Sequence, residues 1–227
     1  MKMSRITFLA NFLLVVVAGD QFHFDKVDED IDKSRAKRST EIPVENKQYW
    51  LDAGQKELEE ALKVEPNKKL AKNVILVIGD GMSLSTSTAA RIMKGQNEGK
   101  DGVSSNLSWD KFPHVGLSKT YNSNAMVPDS AATAFAMFSG VKTNYYTMGY
   151  DSSIKKGDPG SMSNAQEVKT VLEWAQDEGM KTGFVTTARV THATPAALYA
   201  KTAHRDWECD KLLPKNSPDD VSNLDLI

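Results

Sequence analysis

The feature that most constrains the fold is an uninterrupted run of β-branched residues and leucine, Val74 to Ile78, that leads into Gly79-Asp80-Gly81. Strict alternation of apolar and polar residues would indicate a strand with one solvated face. A continuous apolar run is instead typical of a strand buried on both faces in a parallel sheet. Ser85 to Lys94, which follows, is predicted to be a helix. The chain is therefore predicted to fold as an α/β protein.

Strands and helices are predicted to alternate along the rest of the chain. Strands are predicted at Val115 to Tyr121 and Thr182 to Thr187, and helices at Lys47 to Val64, Ala131 to Phe138 and Ala165 to Glu178. Such alternation favours a layered, mostly parallel sheet with helices on both faces.

The amino terminus has the pattern of a secretory signal peptide. Lys2 and Arg5 precede an apolar run, Ile6 to Val17, which ends in two small residues. The run is too short for a membrane span, which needs about 20 residues. Residues 1–19 are predicted to be a signal peptide, the alternative being a frayed hydrophobic end of a cytosolic protein. Residues 20–46 mix both charges without an apolar stripe, and they are predicted to be a mobile leader.

Composition excludes some partners and bears on the compartment. A net charge of -2 over 227 residues gives no argument for nucleic acid or a membrane surface as partner. The single cysteine, Cys209, suggests a free thiol or a partner outside the chain if the protein is secreted. The glycosylation sequon Asn106-Leu107-Ser108 fits a secreted context.

Ligands of layered α/β sheets collect beyond the carboxyl ends of the strands, and three polar segments are predicted there. The first holds Asp80, whose flanking glycines allow a sharp turn and close approach of a ligand. Its carboxylate suits a hard or borderline cation, although Gly-Asp-Gly is also common in turns. Phosphate loops are excluded, because Gly79-x-Gly81 lacks a third glycine and Gly140-Val141-Lys142-Thr143 has an extra residue.

The second segment places Asp129-Ser130 directly before the alanine-rich helix. Both residue types are preferred helix caps, which is one explanation for their presence. The same position also favours a bound anion, because backbone N–H groups and the positive end of the helix dipole face it. A serine hydroxyl there could act as a nucleophile only with a base or a metal to activate it.

The third segment runs from Thr186 to Trp207. Thr191, His192 and Thr194 offer oxygen and nitrogen ligands just after a strand, and Arg205 can bind a phosphate through two parallel N–H bonds. Each residue alone has an ordinary explanation as a satisfied loop histidine or a surface charge. Taken with the first two segments, they indicate phosphoryl transfer.

Four stretches of sequence resemble the animal alkaline phosphatases, in the same order and from about Tyr49 onward. They read "NVILVIGDGMS…TAARI", "FPHVGLSKTYN…VPDSAATA", "GVKTN" and "GFVTTARVTHATPAALYA…HRDW". The resemblance implies an alkaline-phosphatase-like fold, incomplete in this chain, with residues 47–227 as the amino-terminal part of the catalytic domain. It also implies zinc and magnesium as cofactors and hydrolysis of phosphate monoesters through a phosphoserine.

The resemblance implies a role for each matching residue. Asp80 would bridge one zinc and the magnesium, Thr194 would bind magnesium, and His192 would lie at or just outside the magnesium shell. Ser130 would be the zinc-activated nucleophile, and Asp129 would orient the site. Arg205 would hold two phosphoryl oxygens.

The chain also departs from the family pattern. Ser83 stands where the family usually has glycine, which would cost about 1 kcal/mol or more if φ were positive there. Family members are expected to be about twice as long, with the remaining zinc ligands in their second half. The chain is therefore interpreted as a fragment that lacks those ligands and is inactive as it stands.

The family is usually homodimeric and secreted or displayed at the cell surface, in some members on a glycosylphosphatidylinositol anchor. That anchor would be its one contact with a membrane. Two other functions stay open from the sequence: a phosphodiesterase or sulfatase relative, and a catalytically silent surface binding protein on the same scaffold.

Overall fold

The computed structural model describes residues 12–18 and 45–215, with only the backbone for 12–18. Their contacts form two compact units: residues 12–18, 70–80 and 118–215 in the first, and residues 45–69 and 81–117 in the second. All six predicted site residues belong to the first unit. The predicted leader, apart from residues 45 and 46, and residues 1–11 and 19 of the predicted signal peptide lie outside the described residues. In the described part of the chain, no helix has the length and apolar character needed to cross a bilayer.

Three strands form a parallel sheet in the order β2-β1-β3, with β1 at Phe12–Ala18, β2 at Asn73–Gly79 and β3 at Lys181–Thr186. The strands predicted around positions 73 and 182 are thereby confirmed. The register aligns Gly79 with the end of β1, and Thr186 lies one step before it, so β2 and β3 end at the same edge. Asp80 and the segment that follows β3 therefore begin at one edge of the sheet. Residues 12–18 form the middle strand, and the signal-peptide hypothesis stays a prediction.

The expected burial of β2 on both faces is wrong for the described residues. Ile75 and Val77 are 63% and 68% exposed, and of this strand only Ile78 is buried. A continuous apolar run predicts a strand with neighbours on both faces, and the described residues do not supply two such layers. The layered arrangement with helices on both faces is thus not observed here.

Five α-helices lie among the described residues: α1 at Lys47–Leu62, α2 at Leu84–Asn97, α3 at Ser130–Ser139, α4 at Val171–Asp177 and α5 at Ala193–Ala196. Short 3-10 turns occur at Ser108–Lys111, Pro159–Ser161 and Asp210–Leu212. The helices predicted to begin near positions 47, 85 and 131 are confirmed to within a few residues.

Two element predictions are wrong. The helix predicted from Ala165 begins only at Val171, because Thr170 caps it with Glu173 in a capping box and Glu167 pairs with Tyr150 in a bridge. The strand predicted at 115–121 has no regular structure, and Val115 and Leu117 are fully exposed. An alternating pattern predicts a strand only where a partner strand pairs with it, and none among the described residues does.

The apolar core of the first unit surrounds α3. Ala131, Ala134, Phe135 and Phe138 are buried on this helix, and they pack with residues of α4 and with α5 and the turn after it. Alanine side chains let the helices approach closely, so the first residues of α3 and α5 are held by a well-packed core. Five of the six predicted site residues are at these two helix starts and at the edge of the sheet, and Arg205 lies in a turn after α5.

Candidate functional site

Asp129 caps α3 and also holds a neighbouring loop. Its Oδ2 accepts a hydrogen bond from the Ala131 N–H at 3.0 Å, and its Oδ1 accepts one from the Tyr146 N–H at 2.9 Å. The carboxylate is almost buried, with 5% of the side chain exposed. The ordinary explanation of Asp129 as a helix cap is therefore correct, and the cap fixes Ser130 as the first residue of α3.

Arg205 lies directly against Ser130. Its Nη1 donates to Ser130 Oγ at 2.9 Å and to Asp129 Oδ2 at 3.2 Å. Its backbone N–H donates to the carbonyl of Tyr146 at 2.8 Å, which fixes the residue at both ends. The arrangement places a guanidinium beside a hydroxyl at the amino end of a helix, where negative charge is stabilised.

Tyr146 has an unusual backbone conformation and lies in the site, and the sequence pattern indicated neither. Its φ is 72°, the left-handed region that a tyrosine adopts at a cost of about 1–3 kcal/mol. Both of its backbone groups are used, one by Asp129 and the other by Arg205. These bonds hold the strained residue in place. Residue type carries no signal for such a conformation.

A second pair joins the sheet edge to α5. The Thr194 hydroxyl, which is buried, donates to Asp80 Oδ2 at 2.7 Å. Gly81 has a φ of 70°, so the glycine after Asp80 is needed for the turn. His192 stands at the residue before α5, without a side-chain cap bond, and its Nε2 lies 3.5 Å from Arg205 Nη2. The start of α5 thus contacts both Arg205 and Asp80.

The condition for a cost at Ser83 is not met, because its φ is -93° and not positive. Ser83 is the cap of α2, and its hydroxyl oxygen accepts from the Thr86 N–H at 3.2 Å. Serine is among the best helix caps, so the departure from glycine stabilises the helix start.

The donor set fits part of a metal site. Asp80 and Thr194 bring two oxygens together, the ligand type that a hard cation such as Mg²⁺ binds. The Nδ1 atom of His192, two positions before Thr194, is buried and has no hydrogen-bond partner among the described residues. Within the described ranges, no three histidine, cysteine or carboxylate side chains gather in a way that could hold a metal. These residues alone would not complete a four-coordinate zinc site.

The sequence pattern also did not indicate the structural role of Glu208. Its carboxylate accepts from Arg189 Nε at 2.9 Å and Nη2 at 2.7 Å, and from the Thr191 hydroxyl at 2.7 Å. The hydrogen bonds from Arg189 are the main cause that lowers the pKa of Glu208 to about 2, against 4.5 ordinarily. The contacts tie the residues before His192 to those after Arg205. No spacing in the sequence indicates this pair.

A family model and several known proteins match most of the chain. The alkaline phosphatase family model matches residues 71–225. The tissue-nonspecific alkaline phosphatase of Gallus gallus is 51% identical to this chain over 168 residues, and that of Homo sapiens is 49% identical over 167 residues. Alkaline phosphatase 4 of Drosophila melanogaster is 46% identical over 182 residues. These matches cover 74%, 73% and 76% of this chain but 32%, 32% and 30% of the relatives. The matched segment therefore spans about a third of the length of these curated relatives, which are more than twice as long as this chain, as expected. The matched segment includes every predicted site residue, and on this evidence the chain belongs to the alkaline phosphatase family.

Proposed function

We propose that this chain contributes the nucleophile and the phosphoryl-binding arginine of an enzyme that hydrolyses phosphate monoesters. The observation that carries the proposal is the 2.9 Å contact between Arg205 Nη1 and Ser130 Oγ at the start of α3. A phosphoryl group bonded to this oxygen would lie beside the guanidinium, whose positive charge would stabilise the negative phosphoryl oxygens. The printed names of the relatives describe alkaline phosphatases, which fits this chemistry.

The reaction follows from these two side chains. Ser130 Oγ bonds to phosphorus while the ester oxygen of the substrate leaves with the alcohol, and water then displaces the serine oxygen to release inorganic phosphate. Arg205 binds two of the phosphoryl oxygens in both steps and neutralises the negative charge that they carry. Asp129 keeps Arg205 oriented through the 3.2 Å bond and fixes the start of α3.

Zinc and magnesium are proposed as the cofactors. Asp80 and Thr194 would hold magnesium, Asp80 and Ser130 would bind zinc, and His192 would lie at the magnesium shell. When bound, such ions lower the pKa of a coordinated hydroxyl and offset the charge of the phosphoryl oxygens. The described residues supply only some of the ligands, so we propose that others complete the site and that these 227 residues alone are inactive.

The wider assignments are proposals as well. We propose a layered, mostly parallel sheet with helices on both faces, a catalytic domain from residue 47 onward, a cleaved segment at 1–19 and a leader at 20–46. Secretion or surface display, a lipid anchor, glycosylation at Asn106 and a homodimer are proposed for the natural protein. The relatives give no support to the phosphodiesterase, sulfatase or silent-binder alternatives.

The test is Ser130→Ala in the protein at its full natural length, supplied with zinc and magnesium. Turnover of phenyl phosphate should fall by at least about a thousandfold, since the nucleophile is removed. The circular dichroism spectrum should stay native. Ser163→Ala is the matched control, because Ser163 is exposed and lies in the turn after the second 3-10 segment. Turnover by Ser130→Ala that equals the control would refute the role of Ser130.

A further inference from the structure

A lysine lies on two tyrosine rings beside the predicted phosphoryl site. The Nζ of Lys156 is 3.9 Å from the centroid of the Tyr146 ring and 4.8 Å from that of Tyr145. The two rings contact each other, with centroids 4.4 Å apart. We call these three residues the lysine–tyrosine cluster. Its contacts hold the ammonium group in a defined place, because a ring face attracts a cation.

The charge of Lys156 is not neutralised by the described residues. No carboxylate there forms an ion pair with it, whereas Lys100 and Lys169 each pair with one carboxylate and Lys201 pairs with two. Lys156 is also exposed, and an ammonium group has three hydrogen-bond donors. The cluster therefore offers a positioned cation that is open to an anion from solution.

The cluster is next to Arg205. The guanidinium carbon of Arg205 is 5.4 Å from the centroid of the same Tyr146 ring. The two cations are thus no more than about 10 Å apart, comparable to the Debye length at physiological ionic strength. The pKa of His204, whose ring is 5.2 Å from that of Tyr146, reflects the proximity of both cations. Burial lowers the pKa of His204 and both cations lower it further, while Asp206 acts in the opposite direction.

We propose that Lys156 is a specificity residue that binds a second anionic group of the substrate while Arg205 binds the phosphoryl group to be transferred. The preferred substrates would be phosphate monoesters whose leaving group carries a carboxylate or a further phosphate. The tyrosine rings would contact the apolar part between the two anions. This inference rests on the proposed phosphatase function and adds the class of substrate to it.

The experiment compares two substrates that differ by one charge, phenyl phosphate and 4-carboxyphenyl phosphate. kcat/KM is measured for both with the metal-loaded protein at full natural length, and the readout is the ratio of kcat/KM for 4-carboxyphenyl phosphate to kcat/KM for phenyl phosphate. In Lys156→Gln this ratio should fall about two- to fivefold, the size of an exposed charge pair, mainly through KM. Lys156→Arg should keep the ratio, and added salt should lower it in the unmodified protein.

Lys155→Gln is the matched control, since it removes the same charge from the neighbouring exposed position. The proposal predicts that this control leaves the ratio unchanged. An equal ratio in the unmodified protein and Lys156→Gln, or an equal fall in both glutamine variants, would overturn it. Hydrolysis of neither substrate by the unmodified protein would instead count against the phosphatase function itself.

Discussion

Replacement of Asp129 by alanine should destabilise the protein by about 2–4 kcal/mol, independently of any catalytic effect. The Ala131 N–H loses its cap acceptor, which costs about 1 kcal/mol. The Tyr146 N–H also loses its acceptor, at about 1–3 kcal/mol if no water replaces it. Arg205, with 17% of its side chain exposed, loses the nearer of its two carboxylate partners and keeps only Asp206, at 3.8 Å. Thermal unfolding should show a Tm lowered by roughly 5–15 °C.

Two further variants make the measurement specific. Asn is as good a helix cap as Asp, but its amide has a single oxygen for the two N–H groups that Asp129 binds. Asp129→Asn should therefore lose about half as much stability. Asp158→Ala, at an exposed cap position without a side-chain cap bond, should change stability by no more than about 0.5 kcal/mol. The reasoning would be refuted if Asp129→Ala cost no more than Asp158→Ala.

Three other substitutions test local features. Ser83→Ala should cost about 1 kcal/mol in urea unfolding and Ser83→Gly only a few tenths, and the reverse order would contradict the cap. Gly149→Ala should lower the Tm more than Gly157→Ala does. Both glycines have positive φ (83° and 72°), but of the two only Gly149 would place the added Cβ against a backbone atom, 2.5 Å away. Because its pKa is lowered, Glu208 contributes stability above pH 4.5 that is lost as the pH falls towards 2. Glu208→Gln should therefore make Tm depend less on pH in this window. An unchanged slope of Tm against pH would count against the ion pair.

The sequence predicted the features that depend on local pattern. The apolar run before Gly79 predicts β2, and the Asp-Ser pair before an alanine-rich stretch predicts the start of α3, because a strand pattern and a helix cap are written in adjacent residues. The single-residue evidence for His192 and Arg205 was weak. The resemblance to a family predicted that they lie near Ser130, and the structure brings the three together.

Other features depend on partners that are distant in the sequence. Val115 to Tyr121 has a strand pattern but no partner strand in the part of the chain that the structure describes. Glu208 meets Arg189 only in the folded chain, 19 positions away. Ser83 was judged by the glycine it replaces, whereas its φ is set by the turn and the helix that follows. The strained Tyr146 is held by Asp129 and Arg205, so its conformation exists only in the folded site.

The hydrogen bonds of the site join residues that are far apart along the chain. Thr194 and Asp80 are 114 positions apart, and Arg205 is 75 positions from Ser130. The hydrogen bonds of helix α3 join near neighbours in the chain and can form transiently within microseconds, whereas the contacts of the site require long loops to close first, which slows their formation. During refolding the helical circular dichroism signal should therefore recover before the tertiary contacts of the site form. A partly folded molecule could contain most of its helices and still lack an arginine beside its serine.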